Sequence, residues 1–317
     1  MPDLTGIGRL VARSPKIHFG LLALVLVGFI AVPPFRNPEN LVNVLDQSAA
    51  LAILALGQSF VIAGGLIDLS VGQLVGLVTV VGCALMGAHP ELAPLIICGV
   101  VAGAALVGLV NGELINRLKI PPLILTFGML SILQGAIFLI TDRSIGSVVP
   151  AIAFLANGRV AGLPVSLALV AVVAIAAWFL LERSVFGWHL LALGNSAEAT
   201  RRAGIGIPRL VRLAFMLSGL SAGLAGLIVA GRLGTGYPNA GDGMELDAIV
   251  AVVLGGTPLK GGRVSVVAIL SAVLVLGVLN NILNLLQVPT FTQILVKGLI
   301  VIGAILADRP ARLARAA

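Results

Sequence analysis

The sequence predicts an all-α protein that crosses a membrane many times. Hydrophobic residues make up 59% of the 317 residues, charged residues only 10%, and the mean hydropathy is +1.12. A soluble domain averages about 25% charged residues. Several apolar stretches approach the ~20 residues that a helix needs to cross a bilayer. The 39 glycines would allow the close backbone approach on which helices rely when they associate in lipid. These three observations indicate a polytopic membrane protein.

The first apolar stretch follows a basic N-terminal tail. Three Lys and Arg residues fall within residues 1–16, and an apolar run continues to about Val32. Pro33, Pro34 and Phe35 come next, in place of the small residues of a signal-peptide cleavage site. We therefore expect a retained first span and a cytoplasmic N-terminus, with a cleaved signal peptide as the alternative.

Nine further spans follow in the apolar pattern, which makes about ten in all. They are expected near 46–64, 71–88, 91–113, 122–141, 163–181, 210–231, 245–257, 265–286 and 291–307. The stretch 245–257 is too short to cross a bilayer alone as a helix.

The charge distribution agrees with this topology. Ten spans with a cytoplasmic start place both termini inside, with a cytoplasmic connection at 182–212 and a cytoplasmic tail at 308–317. Fifteen of the twenty Lys and Arg residues then fall in cytoplasmic segments and four in external ones, as the positive-inside rule requires. We treat residues 1–317 as a single transmembrane domain.

Two segments of the chain are similar to each other. GLVNGELINRLKIPP, residues 108–122, resembles GVLNNILNLLQVPT, residues 277–290. In the predicted topology the first copy ends inside and the second ends outside, as in the inverted repeats of many transporters. A chance match between two apolar helix ends is the alternative explanation.

A carboxylate lies within the apolar run GGLIDLSVG, residues 64–72. Gly64 and Gly65 predict the end of one span, and Asp68 or Ser70 is expected to cap the next by accepting its free N–H groups. Irregular backbone at membrane depth must be buried in protein or line a cavity. An intramembrane carboxylate indicates a functional site. Gly65, Asp68 and Ser70 are therefore candidates for the translocation path or a structural turn beside it; a simple helix cap near the cytoplasmic face is the alternative.

A second unusual stretch covers residues 234–265. It holds Asp242, Glu245 and Asp247, then a short apolar helix, then a Gly-Gly-Thr-Pro turn. A helix so short between glycine-rich breaks is typical of a discontinuous membrane element. Glu245 and Asp247 would lie in its first turn, near the positive end of the helix dipole. They are further path candidates, and a loop with a well-capped helix is the alternative.

The long connection at 182–212 contains NSAEATRRAGI, which predicts a short polar helix. Asn195 or Ser196 would cap this helix, Glu198 would lie in its first turn and Gly204 would end it. The segment is too polar for the membrane, so it is placed to dock a cytoplasmic partner. An ordinary amphipathic loop helix is the alternative.

No motif for catalysis, metal binding or nucleotide binding occurs in the sequence. Cys83 and Cys98 both fall in apolar runs, and the three histidines are scattered without ligand spacing. Nothing matches the phosphate-binding loop of ATPases, so ATP-driven transport requires a separate subunit. The net charge of +7 follows from the cytoplasmic bias of Lys and Arg, and we expect no nucleic-acid partner.

Four motifs, in order, resemble the ribose-type family of ABC importer permeases over roughly residues 40–306. They are VIAGGLIDLSVGQLVGL, NGELINRLKIPPLILTFGMLSI, ALGNSAEATRRAGI and GDGMELDAIVAVVLGGTPLKGGR with GVLNNILNLL. The resemblance implies a type II-like permease bundle in a bacterial inner membrane, surrounded by lipid. It also implies a second permease subunit, identical or different, and a periplasmic binding protein that delivers a monosaccharide or sugar-like solute. ATP and Mg would be bound by partner ATPase subunits, with no cofactor in this chain, and Asn195, Ser196, Glu198 and Gly204 would belong to the segment that couples to them.

Three other functions are compatible with a bundle of apolar helices. The chain could be an ion-coupled secondary transporter, an ABC permease for nucleosides or branched-chain amino acids, or a membrane scaffold. An ion-coupled carrier needs ionisable groups in its spans, and only Asp68, Glu113 and Lys297 lie near the predicted core. A scaffold needs no broken helices, whereas two are predicted.

Overall fold

The computed structural model describes residues 15–289, 291–293, 295–296 and 298–299, and this part of the chain is almost wholly helical. In chain order the helices are α1 Pro15–Ala31, α2 Pro38–Ala63, α3 Val71–Ala88, α4 Ala93–Leu118, α5 Pro122–Ile140, α6 Pro150–Asn157, α7 Ser166–Trp178, α8 Val185–Asn195, α9 Ala197–Arg202, α10 Ile207–Leu233, α11 Met244–Leu254 and α12 Val266–Leu285. Short 3-10 turns lie at Pro33–Arg36 and Pro90–Leu92, and a π-helical turn, Phe179–Arg183, extends α7.

Seven helices in the described part of the chain are long and apolar enough to cross a membrane. They are Pro38–Ala63, Val71–Ala88, Pro90–Leu118, Pro122–Ile140, Ser166–Arg183, Ile207–Leu233 and Val266–Leu285. The apolar part of α1, Ile17–Ala31, is shorter, and α11 has 11 residues. The span predicted at 291–307 lies largely outside the described residues. The all-α membrane fold is thus confirmed, and the total of ten spans stays a prediction.

Local sequence signals set several helix starts. Asn37 precedes α2, and its side chain accepts a hydrogen bond from the backbone N–H of Glu39 at 3.0 Å, with Pro38 in the first helical position. Proline fits there because its missing N–H would have no partner inside the helix. Ser265 precedes α12 and accepts from the N–H of Ala268 in the same manner.

Helix α2 lies at the centre of the bundle. Within its most apolar 18-residue window 78% of the residues are buried, against 17% for the equivalent windows of α5 and of α7 with its extension. Helix α10 packs along α4, α2 and α3, and both α11 and α12 pack on α2. The core thus lies between α2, α3, α10 and the helices around them, while α5 and α7 lie at the periphery.

Small structured segments lie between the long helices. Residues Arg159–Val160 (β1) and Leu163–Pro164 (β2) form a two-stranded antiparallel hairpin in which Val160 pairs with Leu163. Ile145 and Gly236 form an isolated bridge between two connections. Hydropathy did not predict the hairpin or the short helix α6, since neither is long enough to give an apolar run.

Candidate functional site

The turn between α2 and α3 begins with a Schellman motif. Helix α2 ends at Ala63, Gly65 adopts φ +76°, and the N–H groups of Gly65 and Leu66 donate to the carbonyls of Ile62 and Val61 at 2.9 and 3.1 Å. This pair of bonds satisfies the last carbonyls of the helix, and the left-handed residue that it needs is usually glycine. The predicted end of the span at Gly64 and Gly65 is confirmed.

Asp68 lies in this turn and is completely buried. Its Oδ1 accepts hydrogen bonds from the N–H and the hydroxyl of Ser70, at 3.0 and 2.6 Å, and its Oδ2 accepts from the hydroxyl of Ser218 in α10 at 3.1 Å. No salt bridge within the described part of the chain reaches this carboxylate. Hydroxyl and amide donors therefore compensate for its burial.

The capping role expected for Asp68 or Ser70 is wrong. Ser70 directly precedes α3, but its side chain makes no capping bond. Asp68 accepts from Ser70 itself, before the helix begins, because the turn folds its carboxylate back toward α10.

Buried amides surround the Asp68 turn. The Nε2 of Gln58 donates to the Asp68 carbonyl at 3.1 Å, and the Nδ2 of Asn111 donates to the hydroxyl of Ser70 at 3.0 Å. The other amide atoms, Oε1 of Gln58 and Oδ1 of Asn111, are buried and have no hydrogen-bond partner. Both are acceptors, so the cluster has free capacity for hydroxyl groups or water.

An irregular segment lies along α3 before α11 begins. The carbonyl oxygen of Tyr237 accepts from the hydroxyl of Thr79 at 3.3 Å. A Cβ on Gly76 would lie 3.2 Å from the Pro238 carbonyl oxygen, and a Cβ on Gly241 would overlap the Gly72 carbonyl. The segment thus passes from the middle of α3, near Thr79, to its first turn. It leads into the short helix α11, Met244–Leu254; that this helix is a discontinuous membrane element stays a prediction.

Glu245 meets α3 at its first turn. Glu245 is 9% exposed, and its Oε2 has no hydrogen-bond partner. It packs so closely on Gly72 that a Cβ there would overlap the carboxylate. One residue further along α3, Gln73 donates to Oδ1 of Asp242 at 2.8 Å. Asp247 lies in the same first turn of α11, half-buried.

The first turn of α3 therefore brings together most of the predicted path residues. Asp68 and Ser70 precede it in the chain, and Glu245 contacts it from α11. The sequence predicted these residues separately. The amides Gln58, Gln73 and Asn111 were missed, and their only signal was a polar side chain within an apolar run.

The segment 195–204 forms the predicted polar helix. Ser196 caps α9 by accepting from the N–H of Ala199 at 3.2 Å, and Gly204 follows the helix with φ +75°. Glu198 pairs with Arg202 at 3.0 Å and with Arg201 at 3.5 Å, all three exposed. Asn195 is the last residue of α8 and makes no cap; its amide donates to the carbonyls of Leu191 and Gly262.

The described residues contain no group of three His, Cys, Asp or Glu side chains that could hold a metal ion. Cys83 and Cys98 are both free thiols.

Comparison with known proteins identifies one family. The family described as branched-chain amino acid transport system / permease component matches residues 40–305. The chain is 39% identical over 320 residues to the ribose import permease protein of Bacillus subtilis, covering 95% of this chain and 98% of the relative. It is 37% identical over 298 residues to the ribose import permease protein of Escherichia coli, covering 92% of each. It is also 35% identical over 309 residues to the L-arabinose ABC transporter permease protein of Azospirillum brasilense, covering 96% and 89%. No solved structure matches the chain.

Proposed function

The chain belongs to the family of branched-chain amino acid transport system permease components and is the permease subunit of an ABC importer, and we propose that its solute is a monosaccharide. It is not an enzyme, because ATP hydrolysis in these importers belongs to a separate subunit. The observation that carries the sugar assignment is the similarity, over more than nine-tenths of the chain, to permeases named for ribose and L-arabinose.

The polar residues of the bundle suit a neutral solute with many hydroxyl groups. Around the first turn of α3, three buried oxygens have no hydrogen-bond partner: Oε1 of Gln58, Oδ1 of Asn111 and Oε2 of Glu245. No salt bridge among the described residues involves Asp68 or Glu245. Such acceptors can bind the hydroxyl groups of a solute that moves past them. None of the contacts described around this turn supplies a cationic group that would hold an anionic solute.

Each predicted site residue has a proposed role. Gly65, Asp68 and Ser70 form a structural turn beside the translocation path, and Glu245 and Asp247 place the discontinuous helix α11 against it. Asn195, Ser196, Glu198 and Gly204 form the segment that docks the ATPase, with α9 as its exposed centre.

The assembly that we propose follows the pattern of such importers. Residues 1–317 form one transmembrane domain in a bacterial inner membrane, with both termini in the cytoplasm. Two permease subunits, identical or different, span the lipid. A periplasmic binding protein delivers the sugar from outside, and ATPase subunits that bind ATP and Mg dock from the cytoplasm.

Purification of the tagged chain from native membranes, with whatever stays bound, tests the assembly. Mass spectrometry of the gently extracted complex is expected to recover an ATPase subunit and to give the number of permease subunits. The recovered complex is then reconstituted in vesicles for uptake of radiolabelled D-ribose, L-arabinose, L-leucine and uridine. The proposal predicts ATP-dependent uptake of a pentose.

Two results would overturn the proposal. Preferred uptake of leucine or uridine would contradict the sugar assignment. Uptake by the chain alone that stops when the ion gradient is collapsed would identify a secondary transporter. Complexes whose ATPase lacks its catalytic glutamate are the control, since they should assemble but not transport.

A further inference from the structure

Three separate parts of the chain meet through backbone contacts near the docking segment. They are the end of α2, the end of α8 and the connection between α11 and α12. We call the four glycines at this meeting point, Gly65, Gly194, Gly261 and Gly262, the glycine junction. A Cβ on Gly194 would overlap the Ala63 carbonyl oxygen and would lie 2.9 Å from the Cα of Gly261. Side chains are therefore excluded from this contact.

The other two chain segments of the junction, the end of α2 and the α11–α12 connection, approach their neighbours equally closely. A Cβ on Gly65 would lie 2.7 Å from the carbonyl oxygen of Lys260. A Cβ on Gly261 would lie 2.5 Å from the N of Gly65 and 2.9 Å from the Cα of Gly194. Real Cβ atoms do not approach backbone this closely, so each glycine is required for the packing that the structure has.

Hydrogen bonds hold the junction together. The N–H of Gly262 donates to the carbonyl oxygen of Ala63 at 3.0 Å, at the end of α2. The carbonyl oxygen of Gly262 accepts from the Nδ2 of Asn195 at 3.2 Å, at the end of α8. The backbone of Gly262 thus joins Asn195, at the start of the docking segment, to the end of α2, which leads into the Asp68 turn.

The docking helix α9 is connected to the Asp68 turn on both sides. On its N-terminal side, α8 ends at the glycine junction, and Gly65 of the junction precedes Asp68 by three residues. On its C-terminal side, α10 follows α9, and Ser218 of α10 donates to the Asp68 carboxylate at 3.1 Å. Helix α9 is thus linked to the turn by two routes, one through the glycine junction and one through α10.

We propose that the glycine junction transmits the movement of the docked ATPase from α9 to the Asp68 turn, with Gly194 as its central positioning residue. This inference rests on the docking role given to α9 under the proposed function. Backbone packed directly on backbone has no side-chain rotamers to absorb a displacement. Coupling between distant sites is carried by packed rigid elements of this kind.

The test is Gly194→Ala in the complete importer, reconstituted in lipid nanodiscs for ATP hydrolysis and in vesicles for sugar uptake. Residue 194 is helical, so alanine is compatible with its backbone conformation and acts only by separating α8 from α2 and from the 261–262 loop. We expect the variant to bind the ATPase and hydrolyse ATP, while the amount of sugar imported per ATP falls about three- to thirtyfold. Gly135→Ala in α5 is the matched control, because residue 135 is also helical and a Cβ there meets nothing within 4 Å. It should leave that ratio unchanged.

Unchanged sugar import per ATP in Gly194→Ala would overturn the inference. If this variant does not assemble, Asn195→Ala takes its place, since Asn195 is exposed and its loss removes only the amide bonds to Leu191 and Gly262. A lowered import ratio with unchanged ATPase binding in Asn195→Ala supports the junction, and a normal ratio contradicts it. Failure of the proposed function is distinguishable, since the unmodified complex would then hydrolyse ATP without importing sugar, or bind no ATPase.

Hydrogen exchange on the unmodified complex gives a second measurement that does not depend on a variant. Binding of a non-hydrolysable ATP analogue to the ATPase is expected to change exchange in residues 194–202 and, together with it, in residues 64–70. A change confined to 194–202 would show that α9 moves without the turn, which contradicts the junction.

Discussion

Asp68 shows how a carboxylate is accommodated inside an apolar bundle. Its two oxygens accept three hydrogen bonds, two from Ser70 and one from Ser218. A buried charge without compensation is very costly, and hydrogen bonds to charged groups contribute about twice as much as neutral ones. The carboxylate thus joins the α2–α3 turn to α10, which gives it a structural role that can be measured apart from transport.

Asp68→Asn should destabilise the protein by about 1–3 kcal/mol. The amide removes the charge and turns one acceptor oxygen into a donor, so the bonds to Ser70 lose their charge assistance and the bond to Ser218 must reverse its direction in a buried site. The free energy of unfolding in detergent, followed by circular dichroism, measures the loss. Asp142→Asn makes the same chemical change at an exposed position and should leave stability within about 0.5 kcal/mol. Equal stability of the two variants would contradict the structural role.

The sequence predicted the helix end and the burial at this turn better than it predicted the contacts of the residues in it. A carboxylate and two glycines in an apolar run are visible in the sequence, and both the helix end and the burial were expected. The hydrogen bond to Ser218 crosses 150 residues of chain, and the contact between Gly72 and Glu245 crosses more than that. Such contacts depend on tertiary packing, which local spacing does not encode.

At the scale of elements, two helices end in the same way. Helix α11 ends before Gly255 and Gly256 as α2 ends before Gly64 and Gly65. The N–H groups of Gly256 and Thr257 donate to Val253 and Val252 at 2.9 and 3.2 Å. This is the same Schellman pair as at the end of α2. The first motif contains Gly65 of the glycine junction, and the second begins the connection that contains Gly261 and Gly262. Similar local sequences thus precede two of the chain segments that meet at the junction.

The similar segments 108–122 and 277–290 also share a backbone feature. Lys119 follows α4 with φ 54°, and Gln287, its equivalent before the shared proline, follows α12 with φ 56°. Left-handed conformation is uncommon for non-glycine residues. The two segments therefore resemble each other in backbone conformation as well as in sequence. The inverted arrangement of the two copies stays a prediction.

Gly108→Ala in α4 should destabilise the bundle by about 1–3 kcal/mol. A Cβ at this position would overlap the Phe215 carbonyl oxygen of α10, so two helices would have to separate. Gly103→Ala lies in the same helix, where a Cβ meets nothing within 4 Å, and should not destabilise it. Thermal unfolding of the two purified variants compares them directly. A loss of stability in both would mean that glycine is needed in α4 for reasons other than this contact.

Ser196→Ala should weaken ATPase docking about fivefold, because loss of an N-cap costs about 1 kcal/mol. Helix α9 has only six residues, and the Ser196 side chain accepts from the N–H of Ala199 in its first turn. The affinity of the ATPase for the permease in nanodiscs, measured by light scattering or interferometry, reports the change. Ser196→Asp keeps a capping oxygen and should restore the affinity. Unchanged binding in Ser196→Ala would show that α9 need not be helical for docking.

Helix boundaries were predicted well where apolar runs end at strong signals. The span expected at 71–88 is Val71–Ala88, and that expected at 122–141 is Pro122–Ile140, which begins at a proline. The span expected at 46–64 begins earlier, at Pro38, because Glu39, Asn40 and Asn43 lower the hydropathy of its first two turns. Helix α8 was not predicted, because it lies in the connection 182–212, where only the segment NSAEATRRAGI gave a helix signal.

At the scale of the whole molecule, one contact departs from the predicted sides of the membrane: Glu245, at the start of a span expected to begin outside, contacts Gly72, at the end of α3 that is expected inside. Two contacts between connections agree with the predicted sides. Ile145 pairs with Gly236, and both were expected outside. Gly194 contacts the 261–262 loop, and both were expected inside. Each pair comes from distant parts of the sequence, so their proximity is independent of the charge count on which the topology was based.

The topology itself can be tested with single cysteines in a chain that carries Cys83→Ala and Cys98→Ala. Asp142→Cys lies in a connection expected outside, and Ala203→Cys follows α9, expected inside; both positions are exposed. A membrane-impermeant maleimide added to spheroplasts should label the first position at once and the second only after lysis. The reason is the positive-inside bias, since the segment around Ala203 holds four of the cytoplasmic arginines, Arg201, Arg202, Arg209 and Arg212.

Thr5→Cys extends the same test to the N-terminal tail and should also be labelled only after lysis. Sugar uptake by each variant is the control, because only a functional importer reports a native orientation. Labelling of Ala203→Cys in intact spheroplasts would place α9 outside the cell. Since ATP is available only in the cytoplasm, that single result would remove both the docking role of α9 and the glycine junction as its link to the Asp68 turn.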